Sequence, residues 1–226
     1  MNPYEVAKRI DHTYIKIDAN YESLEAFIKT GLEYRFRSLV TLPSLLPYVK
    51  ERIRGTDIKL SAAIDVPFGQ EALKVKMYAC RNAIESGANE LDIASNVSFL
   101  LSRTFDRYEA EARSLIQSIK AEYPDIVVKY IVEVTVLDTS LLTKAIEIIN
   151  RVKPDYFKTS TGFGPRGTTS ADVKFIRQLL LDEIKIKASG GIRTYEQFIE
   201  LIKSGADIIG SSTGDKIVKE ALKASW

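Results

Sequence analysis

Lys158 and Lys187 stand where a lysine can do chemistry. Lys158 ends the apolar and aromatic run DYFK and is followed by Thr, Ser, Thr and Gly, which do not continue a strand comfortably. Lys187 ends IKIK and is followed by ASGG, the same pattern one unit later. In a parallel αβ barrel, a residue at a strand's C-terminal end opens into the active-site face, where positioned charges are usually chemical. Either lysine alone reads as a surface residue beside a glycine turn; the repetition weighs against that. Neighbouring strands lie about 4.8 Å apart. A second cation at that distance, with partial burial, lowers a lysine amine from its reference value of about 10.4 toward about 7 or 8. A free amine attacks a carbonyl to form a Schiff base, so the reaction class indicated is aldol cleavage or condensation. The single histidine and single cysteine leave little material for a metal or thiol mechanism, and neither metal nor cofactor is expected. The competing reading is a lysine and carboxylate network that only fills a polar interior.

Two loops further along are built for an anion. Gly190 and Gly191 follow the Lys187 strand, and GSSTG, from Gly210 to Gly214, follows the next one, with Asp215 opening a helix. Glycines permit close backbone approach and amides at a helix N-terminus attract anions, so these loops form a phosphate site. That signal identifies a phosphate, not a reaction.

The elements that must position these residues alternate along nearly the whole chain, which argues for βαβ units and a parallel sheet. Eight strands are expected: Ile10 to Tyr14, Ser38 to Leu42, Lys59 to Val66, Glu90 to Ser95, Val127 to Val134, Tyr156 to Ser160, Ile184 to Ser189 and Asp207 to Ser211. Eight closes a barrel. Amphipathic segments between them, such as Tyr21 to Glu33, Gln70 to Ser86, Tyr108 to Glu122 and Thr139 to Asn150, carry apolar residues at helical spacing, and Gly87, Gly205 and Lys153-Pro154 mark helix ends. Alternation along the strands gives orientation. With Leu91 and Ile93 toward the helices, Asp92 points inward; Lys129, Ile131 and Glu133 share an inward face, as do Lys185 and Lys187. Lys129 and Lys185 then enter the barrel floor and are expected to snorkel to solvent. Asp92, Glu133, Lys158 and Lys187 fall in the upper half, where carboxylates opposite lysines offset the cost of burial.

Bulk composition limits the alternatives. A chain of 226 residues, 45% hydrophobic and 27% charged, fits one α/β domain spanning residues 1–226, here a single (β/α)8 TIM barrel with a short N-terminal extension. The net charge of +2, with basic residues scattered among acidic ones, offers no stripe for nucleic acid and no polybasic membrane patch. Partners are expected to be a small molecule and copies of the chain itself, as a dimer or tetramer. Cys80 lies in an apolar helical pattern and reads as core. The N-terminus lacks the apolar run of a secretion signal and no segment approaches a membrane span, so a cytoplasmic protein is expected.

In order along the chain, IDHTYIK, VPFG, GANELDIASN, DYFKTSTGFG, KASGGIRT and IGSSTG resemble the deoxyribose-phosphate aldolase family. The resemblance covers nearly the whole chain; KTSTGF with KASGGIRT is its most specific part. It implies a metal-independent class I aldolase that reversibly cleaves 2-deoxy-D-ribose 5-phosphate to D-glyceraldehyde 3-phosphate and acetaldehyde. By motif, Lys158 matches the Schiff-base lysine, Lys187 the lysine that perturbs it, Asp92 the proton-transfer acid and Asp11 a supporting carboxylate. Gly162, Gly190, Gly191, Gly210, Ser212 and Thr213 match phosphate-binding positions. Asp65 and Arg166 depart from the family pattern: the first adds a carboxylate at the mouth, and the second is placed to reach phosphate. An aldolase for another sugar phosphate, or a non-catalytic barrel that binds one, remains open. His12 reads as structural, and the tail ending in Trp226 is assigned no role.

Overall fold

A computed structural model describes residues 1–224. Eight parallel strands close into a barrel in sequence order: β1 (Ile10–Tyr14), β2 (Ser38–Thr41), β3 (Lys59–Ile64), β4 (Glu90–Ala94), β5 (Val127–Ile131), β6 (Tyr156–Lys158), β7 (Lys185–Ser189) and β8 (Ile208–Ser211). Closure runs through β1 and β8, with Asp11 beside Gly210. Around the sheet lie α2 (Tyr21–Tyr34), α3 (Leu46–Arg52), α4 (Leu73–Glu85), α5 (Val97–Leu101), α6 (Phe105–Glu122), α7 (Thr139–Val152), α8 (Ser170–Leu179), α9 (Tyr195–Lys203) and α10 (Gly214–Ala224), with α1 (Pro3–Ala7) ahead of the barrel.

Local chemistry sets these boundaries. Thr169 and Thr194 cap α8 and α9, each in a reciprocal box with the residue three positions on, so that orphan amides at both helix starts are satisfied. Lys153 ends α7 in the left-handed region and Pro154 cannot continue the helix. The sequence pattern missed three short helices. α1 carries a capping box of Asn2 and Glu5, while the proline-rich PSLLPYVKER forms a turn leading into α3, where proline sits in the first turn and its missing donor costs nothing. At β5 the expected strand is three residues too long. Glu133 adopts φ 55° and turns the chain off the sheet.

The outward strand residues and the inner helix faces form one continuous apolar layer. Leu39, Leu60, Leu91, Ile93, Val128, Phe157, Ile186 and Ile209 meet Phe27, Cys80, Leu115, Ile119, Ile146, Ile149, Ile176 and Phe198, all buried. Each such side chain contributes about 1.5–3 kcal/mol. The inward residues differ in kind. Asp11, Ser61, Glu90, Asp92, Lys129, Lys158 and Lys187 are buried and polar, so the sheet holds its apolar face against the helices and a charged one inside. Among the described residues, no helix is long and apolar enough to cross a membrane.

Candidate active site

The strand register brings the inward charges together. β6 and β7 pair so that Lys158 lies beside Lys187. Asp92 reaches them from β4: its Oδ2 accepts from Lys158 Nζ at 2.7 Å and from Lys187 Nζ at 2.6 Å. Asp11, from β1, accepts from Lys187 Nζ at 2.5 Å through its own Oδ2. The four residues picked out for chemistry therefore form one connected cluster, with two amines converging on a single carboxylate oxygen.

Burial and charge pull these groups in opposite directions. Burial alone would push the Asp92 carboxyl up, but Lys129, Lys158 and Lys187 together outweigh it and hold Asp92 well below the usual carboxylate range. Burial also raises Asp11, and Lys129, Lys187 and Arg37 reverse that effect. For Lys187 the balance tips the other way. Burial, helped by Lys129 and Lys158, exceeds the pull of Asp11 and Asp92 and lowers its amine to about 8. A lysine lowered that far can exchange a proton near neutral pH.

Lys129 does not snorkel to a solvated floor, contrary to the expectation from its strand position. It is fully buried, with Nζ 2.7 Å from Asp11, 2.6 Å from Glu90 and 3.1 Å from Asp92. The floor beneath it is plugged by Arg37, which forks onto Glu90 at 2.6 and 2.9 Å and reaches Asp11 at 2.6 Å, and by Tyr156. Three carboxylates around one ammonium make a solvent path unnecessary. Lys185 does emerge into solvent. Glu90 could have been found by the alternation that found Asp92, two positions on. Arg37 precedes its strand and carries no such signal.

Above the cluster the barrel opens into a cavity of about 240 Å³, lined by Lys158 and by the loops after β6, β7 and β8. Gly162, Gly190, Gly191, Gly210 and Ser212 all border it, as do Ser189 and the exposed cations Lys16 and Arg193, which the sequence reading did not select. Gly190 and Gly191 have φ of 96° and 76°, a region that other residues enter only under strain. Gly210 serves a second purpose: a Cβ there would lie 3.0 Å from Lys187 Cε, so its absence leaves room for that side chain. Thr213 does not line the cavity. Its amide donates to Ser211 Oγ at 3.1 Å, which ties the loop to the start of α10.

The two departures from the family pattern face elsewhere. Asp65 accepts from the Glu71 amide at 3.0 Å and lies 3.4 Å from the buried Lys76. Arg166 donates to both carboxylate oxygens of Asp172, at 2.6 and 2.9 Å. Glu133 accepts from the Thr161 amide at 2.8 Å, pinning the loop that follows Lys158. His12 points toward the helices, stacked between Phe27 and Phe36 at 4.9 and 4.6 Å, and Cys80 is buried in the apolar layer. Trp226 lies outside the described residues. Beside the first cavity, and sharing Ile15, Lys16, Thr161 and Phe163 with it, is a broader recess lined by Ile17, Leu42, Val66, Pro67 and Phe68.

No protein-family model matches the chain. Individual relatives do. The chain is 36% identical over 218 residues to the deoxyribose-phosphate aldolase of Dictyoglomus turgidum, covering 96% of this chain and 98% of that one. It is 37% identical over 218 residues to that of Caldanaerobacter subterraneus, covering 96% and 94%. Among solved structures, the aldolase QR15 superposes with a TM-score of 0.90 at 34% identity, over 98% of this chain and 97% of that one. The deoxyribose phosphate aldolase of Aeropyrum pernix, described as tetrameric, does so with a TM-score of 0.89 at 29% identity, over 100% and 94%. Agreement of this extent, over nearly full length in sequence and in fold, places the chain in the deoxyribose-phosphate aldolase family.

Proposed function

We propose that the protein is a class I aldolase that reversibly cleaves 2-deoxy-D-ribose 5-phosphate to D-glyceraldehyde 3-phosphate and acetaldehyde through a Schiff base on Lys158. The observation that carries this reading is that Lys158, alone of the cluster's three lysines, both borders the cavity and shares Asp92 Oδ2 with a second amine. The free amine of Lys158 attacks C1 of the open-chain sugar, and loss of water leaves an iminium. A base then takes the proton of the C3 hydroxyl, the C2–C3 bond breaks, and its electron pair moves onto C2 to give an enamine. Protonation at C2 and hydrolysis of the iminium release acetaldehyde and restore the amine. Asp92, within hydrogen-bond reach of Lys158, is assigned the proton transfers. Lys187 supplies the neighbouring amine and Asp11 holds it in place.

The phosphate is assigned to the loops carrying Gly162, Gly190, Gly191, Gly210 and Ser212, with Lys16 and Arg193 adding positive charge at the rim. Thr213 braces this site through Ser211 rather than facing the ligand. Asp65 and Arg166, the features that kept a different sugar phosphate open, are engaged with Lys76 and Asp172 and lend that alternative no support. Residues 1–226 are read as one barrel domain, working in the cytoplasm as a homo-oligomer, dimer or tetramer, without nucleic-acid or membrane partners. The amine itself activates the carbonyl, so no metal or cofactor is called for.

The decisive experiment is incubation with acetaldehyde and borohydride followed by peptide mass spectrometry. One reduced adduct on Lys158 is expected; an adduct on Lys187, or full turnover with no adduct, would overturn the assignment. Turnover should also survive exhaustive chelation, and a loss restored by a divalent ion would reverse the mechanism.

A further inference from the structure

Below the reacting groups, the barrel interior is a sealed and countable set of charges. Among the described residues it contains the cations Arg37, Lys129, Lys158 and Lys187 and the carboxylates Asp11, Glu90 and Asp92. Except for Arg37, whose side chain keeps 19% of its exposure at the floor, each is 4% exposed or less. They form one unbroken chain of contacts. Arg37 forks onto Glu90, Glu90 faces Lys129 at 2.6 Å, Lys129 meets Asp11 and Asp92, and these hold Lys187 and Lys158. Other charged or titratable groups border the set from outside: Lys185 and Tyr156 below, and Lys16 and Arg193 at the rim. The three that carry a full charge there are exposed, and water screens them.

Four cations face three carboxylates. With every lysine protonated, the interior carries one positive charge in surroundings that solvate it poorly, and loss of one proton makes it neutral. Arginine does not give up its proton, and Lys129 is held by three carboxylates. The proton therefore leaves from Lys187, whose amine burial lowers and which shares one oxygen of Asp92 with Lys158. Glu90 touches neither of these lysines in any contact described, yet its charge enters the count directly.

We propose that Glu90, with Arg37 and Lys129, is a positioning group for the reaction: it sets the number of protons the interior holds, and so the pH at which the Lys187 amine, beside Lys158, releases one. This rests on the reading of Lys158 as the nucleophile. Arg37 pairs with Glu90 and Asp11 and so holds Glu90 beside Lys129. Lys129 carries the effect upward, because it contacts Glu90 and Asp92 at once.

The test is the ascending limb of the pH dependence of kcat/KM, measured for single and double substitutions. Glu90→Gln removes an anion, so an ammonium is harder to keep and the limb should move acid by about one pH unit. Lys129→Met removes a cation, leaving three against three, and the limb should move alkaline by a similar amount. The double variant restores the original excess of one cation and should return to within about half a unit of the parent. Glu90→Asp, which keeps the charge, should leave the limb in place. If Glu90→Gln does not fold, Arg37→Met supplies the independent arm, with an alkaline shift expected. Shifts of one sign for Glu90→Gln and Lys129→Met, a double variant that sums losses without restoring the limb, or a limb that stays put in Arg37→Met would each overturn the proposal. Borohydride trapping on the parent separates the two levels. An adduct away from Lys158 removes the underlying reading, whereas an adduct on Lys158 with unmoved limbs removes this inference alone.

Discussion

Asp92 and Lys187 both touch the same cluster, but they are expected to fail differently when replaced. Lys187→Leu removes a cation beside Lys158, and activity lost at neutrality should partly return on the alkaline side. Asp92→Asn removes the carboxylate proposed to carry the protons. Turnover should fall on the order of 10²- to 10⁴-fold at every pH, with phosphate affinity less affected. Superimposable profiles for the two variants would mean that they do not divide the labour in this way. His12 offers a stability test at the same scale, since it is the one histidine in the chain. Burial between two phenylalanines lowers it to about 4 from an unfolded value of 6.5, Asp215 and Ser211 opposing in part. The unfolded chain thus binds more protons than the folded one between those values. His12 contributes stability fully present above pH 6.5 and lost as pH falls toward 4, on the order of 3 kcal/mol. Melting temperature across that window should drop less steeply for His12→Leu than for the parent, whatever the cost of the substitution at neutral pH.

The loops after β3 and β4 are held from outside the barrel by a buried polar hub. Lys76 of α4 donates to Gly69 O at 2.6 Å and to Ala94 O at 2.9 Å, and pairs with Glu111 of α6 at 3.1 Å. Glu111 in turn accepts from the Asn96 amide at 3.0 Å and from the Tyr130 hydroxyl at 3.2 Å. Lys76→Met strands that carboxylate, and a loss of about 3–5 kcal/mol is expected in denaturant unfolding. A shift below about 1 kcal/mol would show that the hub is solvated. Gly69 itself has φ 66°, and a Cβ there would come within 2.0 Å of Ser95 O. Gly55, with φ 80°, has open space around it. Gly55→Ala should cost only the left-handed backbone, about 1–2 kcal/mol, and Gly69→Ala clearly more. Equal losses would mean that the approach of the two loops is not a constraint.

At the scale of the whole molecule, charge is sorted by depth. The exposed Lys16 and Arg193 stand at the mouth, while the reacting cluster is sealed below. Salt screens the first and barely reaches the second. Raising ionic strength from about 0.01 to 0.5 M should therefore raise KM for the phosphorylated substrate several-fold and leave kcat within about twofold. A parallel fall in kcat would place the salt-sensitive charges inside. The barrel architecture makes this separation possible, because one sheet face is spent on the apolar contact with the helices and the other is free to carry charge.

How much of this was legible in the chain follows from where the information lies. Strand alternation is local, with a period of two, and it turned Asp92, Lys129 and Lys187 inward and Leu91 and Ile93 outward, as they lie in the barrel, while Lys158 was marked by its place at a strand's end. Helix stops at Lys153 and Gly205 were readable because left-handed backbone and proline act on their own neighbours. Pairing between distant strands is not local. That Lys129 meets three carboxylates, that Arg37 closes the floor beneath it, and that Gly210 makes room for Lys187 depend on register around a closed sheet. Asp65 and Arg166 show the same limit from the other side. Their positions in the chain put charge at the mouth, but partners on neighbouring helices, Lys76 and Asp172, turned both side chains elsewhere. The sequence by itself determined which residue types line the barrel and on which face; the tertiary structure alone decided which charges touch, because only closure of the sheet brings strands far apart in the chain within hydrogen-bond distance.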